Sequence, residues 1–204
     1  MPEFLTNPNL LFYLAAYLLG GIPFGVILAK QFAGVDIRNA GSGNIGATNV
    51  LRVVKEKDPK LAKKLMFATF GFDAIKGAMM IGIAALAGMS EATLWMVGVL
   101  SVLGHCFSPF LKFEGGKGVA TGVGVTLAMI PIEGLLGLGV WLLLAKTLKI
   151  SSISSLLGVL TGVGSSFFIH PDMPHAPMVI IGFIIFYKHI PNIVRLVKGE
   201  EKRV

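Results

Sequence analysis

The chain has 204 residues, of which 54% are apolar and 14% charged, with 18 Lys and Arg against 11 Asp and Glu; an ordinary soluble domain carries about 25% charged residues. A mean hydropathy of +0.77 excludes such a domain and marks a polytopic membrane protein. The single cysteine, Cys106, excludes an intrachain disulfide framework and any Cys-rich metal site.

The first apolar run, Leu10 to Lys30, has no charge before its final lysine and is long enough to cross a bilayer as a helix. No basic region precedes it in "MPEFLTNPN", so it reads as a retained span and not as a cleaved signal. Further runs follow near 65–89, 92–111, 118–130, 132–148, 152–169 and 174–190. The expectation is an all-α, single-domain polytopic membrane protein with about seven transmembrane helices. The runs at 118–130 and 174–190 are short for a hydrocarbon core about 30 Å thick, which tilt or a re-entrant loop buried in protein would reconcile. With 118–148 as one re-entrant hairpin, the count falls by two and the sidedness of the rest is unchanged.

Assigning the segments alternately to two sides puts all 18 basic residues on one of them, within 30–65, at Lys76, and within 108–117, 146–149 and 188–204. The other side carries Glu3, Glu91, Glu133 and Asp172. By the positive-inside rule the N-terminus is outside and the C-terminus cytoplasmic. One basic face suits anionic headgroups and anionic substrates, although topology alone accounts for it until motifs are added.

The first polar stretch, "RNAGSGNIGATNVLR" (38–52), contains Gly41-x-Gly43-x-x-Gly46, the spacing of a dinucleotide-binding fingerprint. That fingerprint needs a strand before it and a helix after it, and here it follows an apolar run of membrane length. Its glycines instead read as permissive backbone for an anion loop, with Ser42, Asn44, Thr48 and Asn49 as donors and Arg52 closing on the anion as a fork. A solvated turn between helices is the plain alternative. The second stretch, "GHCFSPFLKFEGGKGVAT" (104–121), has Gly115, Gly116 and Gly118 to turn backbone N–H groups inward, Lys117 to add a full positive charge, and a helix expected from Val119 to Thr121 whose dipole points the same way. It fails the Walker A pattern, because Leu111 stands where the first glycine belongs and Gly118 follows the lysine. The plain alternative is a glycine hinge for close helix packing. In the third stretch, "YKHIPNIVRLVKGEE" (187–201), His189, Asn192 and Arg195 recur at steps of three and share a helix face, with Glu201 reaching back from the tail. Pro191 interrupts that register, and a basic juxtamembrane tail is the alternative. All three stretches fall on the basic side, so one cytoplasmic site built from three loops is the simplest reading.

Other polar residues get structural readings beside functional ones. Asp73 and Lys76 lie one turn apart inside an apolar run and either line the site from behind or pair with each other. Ser151, Ser152, Ser154 and Ser155 open the sixth run, where caps are the default and Ser152 and Ser155 are candidate ligands. His170 and His175 lie outside and read as solvated, and Cys106 as packing.

The blocks "SGNIGATNVLR" (42–52), "GHCFSPFLKFEGGKGVAT" (104–121) and "HIPNIVRL" (189–196) followed by "GEE" (199–201) resemble the bacterial acyl-phosphate:glycerol-3-phosphate acyltransferases, the PlsY family. With the span pattern, the similarity covers essentially the whole chain. The resemblance implies transfer of a fatty acyl group from acyl phosphate to position 1 of sn-glycerol 3-phosphate, giving lysophosphatidic acid and phosphate, at the cytoplasmic face of the bacterial inner membrane. It implies functional roles for Ser42, Asn44, Asn49 and Arg52 in the first block, His105, Gly115 to Gly118 and Thr121 in the phosphate-binding second, and His189, Asn192, Arg195 and Glu201 in the third. The serines after Lys149 match the family's serine-bearing loop only loosely.

Two phosphate-bearing substrates, one of them amphiphilic, agree with two anion loops next to lipid. No His-x-x-x-x-Asp pair of the CoA-dependent acyltransferases occurs. A mixed anhydride is already activated, so electrostatic positioning supplies most of the acceleration. Lys117, its loop and Arg52 would hold the phosphates while a phosphate oxygen takes the hydroxyl proton; His189 or His105 is the other acceptor. No cofactor, divalent metal or nucleic acid is expected. The rival is an organic-phosphate transporter, against which stands the lack of charged residues in the outer halves of the spans.

Overall fold

The structure is a computed structural model that describes residues 7–203, so Glu3 lies outside the described residues. Among the described residues, ten α-helices follow one another. Helices occupy each of the apolar runs, but the first run is not one rod: α1 (Pro8–Gly20) and α2 (Phe24–Ala33) are separated at Gly21–Pro23. Pro23 has no N–H to continue the ladder and disfavours helical geometry at Ile22. The carbonyls freed there are taken up inside the protein, that of Gly21 by the Ser108 hydroxyl at 2.6 Å and that of Ile22 by the Lys76 ammonium at 2.8 Å.

A short amphipathic helix, α3 (Ala47–Val54), buries Val50, Val53 and Val54 against α2 and the start of α4 (Pro59–Leu86). Asp58 caps α4 by accepting from the N–H groups of Lys60 and Leu61, and Pro59 fills the first position, where no donor is needed. Then come α5 (Glu91–Cys106), capped by Ser90, α6 (Val119–Met129), α7 (Pro131–Thr147), α8 (Ser151–Ile169), α9 (Ala176–Lys188) and α10 (Ile190–Val197). Among the described residues, four segments are long and apolar enough to cross a bilayer: Pro8–Ala33, Pro59–Leu86, Glu91–Leu111 and Ser151–Ile169; α9 and α10, bent by 56°, make a fifth if counted together. At 11 residues, α6 rises only about 16 Å. With α7 it forms a hairpin turned at Ile130 and Pro131.

Lipid offers helices no hydrophobic reason to associate, so close packing of small residues does it. A Cβ on Gly124 of α6 would overlap the backbone of Ala74 in α4. The principal core joins α1, α4, α5 and α9 around Met80, Val97, Val102 and Ile185, while Leu11, Phe67, Leu86, Phe168 and Phe183 are exposed outward, as a lipid-facing perimeter requires. Of the two histidines expected to be solvated, His170 is exposed and His175 half-buried, and both also have partners. His170 is bonded through Nδ1 to Glu133, which is wholly buried, and the ring of His175 stacks on Phe167 with centroids 4.0 Å apart.

Candidate active site

The first block builds a loop before it builds a site. Asp36 accepts from Arg38 through both backbone and side chain, and these bonds hold its carboxyl down at about 2. Gly41 and Gly43 take φ of 63° and 70°, the left-handed region that favours glycine. Asn49, buried on α3, donates from Nδ2 to the carbonyls of Ile37, Ala40 and Asn44 and accepts at Oδ1 from the Ser42 N–H. Its amide is thus committed to shaping the loop. Asn44 accepts from the Gly46 N–H at 2.9 Å just where α3 begins. Thr48 reaches Ser151 of α8, oxygen to oxygen, at 3.0 Å.

The second block departs from the expected nest. The N–H groups of Gly115 and Gly116 point back at α5 and donate to the carbonyls of Cys106 and His105, satisfying acceptors that a helix C-terminus leaves open. What lines the cleft here is Gly115 and Lys117, while α6 starts without a side-chain cap. Gly118 takes φ of 84° to make that turn. Below the loop, the His105 ring packs against Gly116 so closely that a Cβ there would overlap Nε2. His105 Nδ1 lies 3.7 Å from Asp73 Oδ1, and Lys76 Nζ lies 2.8 Å from the same oxygen. All three side chains are buried, so Asp73 and Lys76 do form a pair, and it sits directly behind the glycine loop. Thr121 is fully buried, with its backbone against Gly77 of α4.

The third block turns at His189, whose Nδ1 is 2.8 Å from the Ile185 carbonyl. Beyond the turn, Glu201 gathers three partners: Ser152 Oγ donates to Oε1 at 2.8 Å, Asn192 Nδ2 donates to Oε1 at 2.5 Å, and Arg195 Nε donates to Oε2 at 2.8 Å. Burial raises the Glu201 pKa, but these bonds outweigh it and hold the carboxyl below the usual range.

The blocks meet at a cleft of about 730 Å³ lined by Ser42, Asn44, Gly115, Lys117, Asn192 and Arg195 among others. Sequence reasoning missed Arg38, Lys112 and Lys188, which also line it together with Glu114; each is a basic residue inside or beside a motif, which was the available signal. Burial lowers the Lys117 ammonium to about 8; Glu201 opposes that shift, and Arg195 and Arg52 add to it. Arg52 is thus within electrostatic reach of Lys117, although it is not among the residues lining the cleft. The two histidines, His105 and His189, are buried and are likewise not among those lining residues. Ser155 lines a different space. It accepts from Trp141 Nε1 at 3.2 Å in an apolar groove between α6, α7, α8 and α9.

The glycerol-3-phosphate acyltransferase family model matches residues 10–199. The chain belongs to that family. A glycerol-3-phosphate acyltransferase of a Nitratiruptor species is 64% identical over 99% of both chains, and one of Sulfurimonas denitrificans is 60% identical, again over 99% of both. A crystal structure of PlsY, an integral membrane glycerol 3-phosphate acyltransferase, in its glycerol 3-phosphate form superposes with a TM-score of 0.85 at 38% identity, covering 96% of this chain and 95% of that one. The lysophosphatidic acid form gives 0.83 at 36%, covering 96% and 94%.

Proposed function

We propose that this acyltransferase moves a fatty acyl group from acyl phosphate to the 1-position of sn-glycerol 3-phosphate, releasing lysophosphatidic acid and phosphate. The observation that carries the reading is that the cleft and the groove, two separate cavities, are lined by residues only a few positions apart along the same chain segments. Three walls of the groove start close to a residue of the cleft or of its hydrogen-bond network: Val119 lies two residues after Lys117, Ser155 three beyond Ser152, and Ile185 three before Lys188. A donor with its phosphate among Lys117, Arg195 and Asn192 would place its tail in the groove, leaving Ser42, Asn44 and Arg38 for the second phosphate.

In this geometry the C1 hydroxyl oxygen attacks the acyl carbonyl carbon, the bond from that carbon to the bridging oxygen breaks, and phosphate departs. The hydroxyl proton passes to a phosphate oxygen, because His105 is enclosed by Asp73 and Gly116 and His189 is turned toward Ile185. Arg52, Lys117 and Arg195 offset the negative charge on the two phosphates, which is worth most where water is excluded. Ser42, Asn44, Gly46, Thr48, Gly118 and Asn192 position the substrates, and Asn49, His105, Thr121, Asp73 and Lys76 hold the loops that carry them.

We also assign the chain as a single domain of the bacterial inner membrane, with seven crossings, the N-terminus outside and the site on the cytoplasmic face. The placement of all 18 basic residues on one side supports that sidedness, and α6 and α7, going out and back, leave it unchanged whether they cross or re-enter. The test is phosphate release by purified protein in lipid, given glycerol 3-phosphate with palmitoyl phosphate or palmitoyl-CoA in the presence of EDTA. Release with the acyl phosphate alone is expected. Lysophosphatidic acid formed from the CoA ester, which releases CoA and no phosphate, or a requirement for divalent metal, overturns the reading.

A further inference from the structure

The groove ends on a polar floor that acyl transfer itself does not call for. Glu133, near the start of α7, is wholly buried; its Oε1 is bonded to His170 Nδ1 and its Oε2 has no hydrogen-bond partner. Glu133 and Met178 stand at the outer end of the groove, Trp141 and Ser155 at the inner end. Along α7, the step from Trp141 to Glu133 rises about 12 Å, less than the length of an extended palmitoyl chain. Gly122, Gly158 and Gly162 keep the space between open.

Aliphatic walls yield to a longer chain by changing rotamer, whereas Glu133, itself wholly buried, is tied to His170 and cannot step aside without losing that hydrogen bond. A methyl end arriving there also gains nothing, since it meets a carboxylate oxygen that lacks a donor. We propose that Glu133, held by His170, is the stop that sets the acyl-chain length accepted by the enzyme. The proposal rests on the acyl-phosphate reading above.

The experiment measures kcat/KM for decanoyl, lauroyl, palmitoyl and stearoyl phosphates with protein in lipid vesicles at fixed glycerol 3-phosphate. Wild type is expected to peak at the chain that just reaches Glu133 and to fall beyond it. Glu133→Ala, which opens the floor, should raise the ratio of stearoyl to lauroyl turnover by about tenfold or more, the scale on which a hydrophobic pocket discriminates chain length. Because removing a buried hydrogen-bonding side chain can itself destabilise the protein, Val163→Phe supplies the opposite arm: it fills the groove just short of the floor and should lower the same ratio. A flat wild-type profile, or one that Val163→Phe leaves in place, overturns the stop while leaving the acyl-phosphate reading standing. No turnover with any acyl phosphate, from folded protein, overturns both.

Discussion

Ser152 at the start of α8 and Glu201 in the C-terminal tail are joined by a hydrogen bond of 2.8 Å, and through Glu201 the serine is linked to Asn192 and Arg195. Glu201 therefore holds the third block in place. Its removal leaves a buried amide and a guanidinium without their acceptor, and a charge-assisted bond is worth about 1.5–3 kcal/mol. Glu201→Ala is expected to lower Tm and raise KM for glycerol 3-phosphate at least tenfold, with Ser152→Ala an order of magnitude milder. Thermal melts and KM on both variants check this; an unchanged KM in Glu201→Ala would separate the tail from substrate binding. Because the folded carboxyl titrates below its ordinary range, this contribution to stability is fully present above the unfolded pKa and is lost as pH falls through the folded one.

Lys117 gives the free enzyme an alkaline limb. Its ammonium is lowered to about 8 by burial, so the positive charge is present below that pH and disappears above it. kcat/KM should fall as pH rises through about 8, while Lys117→Arg, which stays charged, should remove that fall. Lys117→Ala should raise KM for phosphate-bearing substrate. A pH profile of the three proteins decides, and a limb that persists in Lys117→Arg assigns it to another group.

Asp73 and Lys76 compensate each other in the middle of α4, at 2.8 Å and both buried. Truncating one partner of such a pair typically costs about 3–5 kcal/mol. Asp73→Leu should therefore unfold at lower temperature than wild type, and adding Lys76→Met should recover much of the loss. If the double variant is less stable than either single one, the bond from Lys76 to the Ile22 carbonyl matters more than the pair.

Much of this was legible because apolar runs and glycine-rich blocks are local signals. The helices lie close to the runs, and residues of all three blocks line one cleft, as their common basic side led one to expect. The break at Gly21–Pro23 carried its own signal, "GGIP", but that signal was submerged in an apolar stretch that would otherwise suit one span. What could not be read is direction. Nothing local says that the Gly115 and Gly116 N–H groups cap α5 instead of facing a phosphate, or that Asn49 spends its amide on three carbonyls and an N–H. The Glu133–His170 bond joins residues 37 positions apart, so it exists only once α7 and α8 have packed.

The proton acceptor separates two mechanisms. If a phosphate oxygen takes the proton, neither imidazole is required for the chemical step, and His105→Asn and His189→Asn should act through loop placement and so raise KM. With a histidine base, His189→Ala would abolish turnover at unchanged KM while Lys117→Ala changed KM alone. Steady-state kinetics on these variants distinguish the cases.

The glycine loop is intolerant at two positions for different reasons. At Gly116 an added Cβ meets the buried His105 imidazole, so loop or ring must move. Gly118 has its Cβ position close to Cys106, Val102 and Ile185, and its φ is 84°, a backbone conformation that costs an L-residue roughly 1–2 kcal/mol. Gly139 on α7 meets nothing within 4 Å and serves as the control. Gly116→Ala and Gly118→Ala should each raise KM for glycerol 3-phosphate more than tenfold, since a displacement of about 1 Å can cost 10²-fold, while Gly139→Ala stays within twofold of wild type. Wild-type KM in Gly116→Ala would mean that the imidazole does not set the position of the loop.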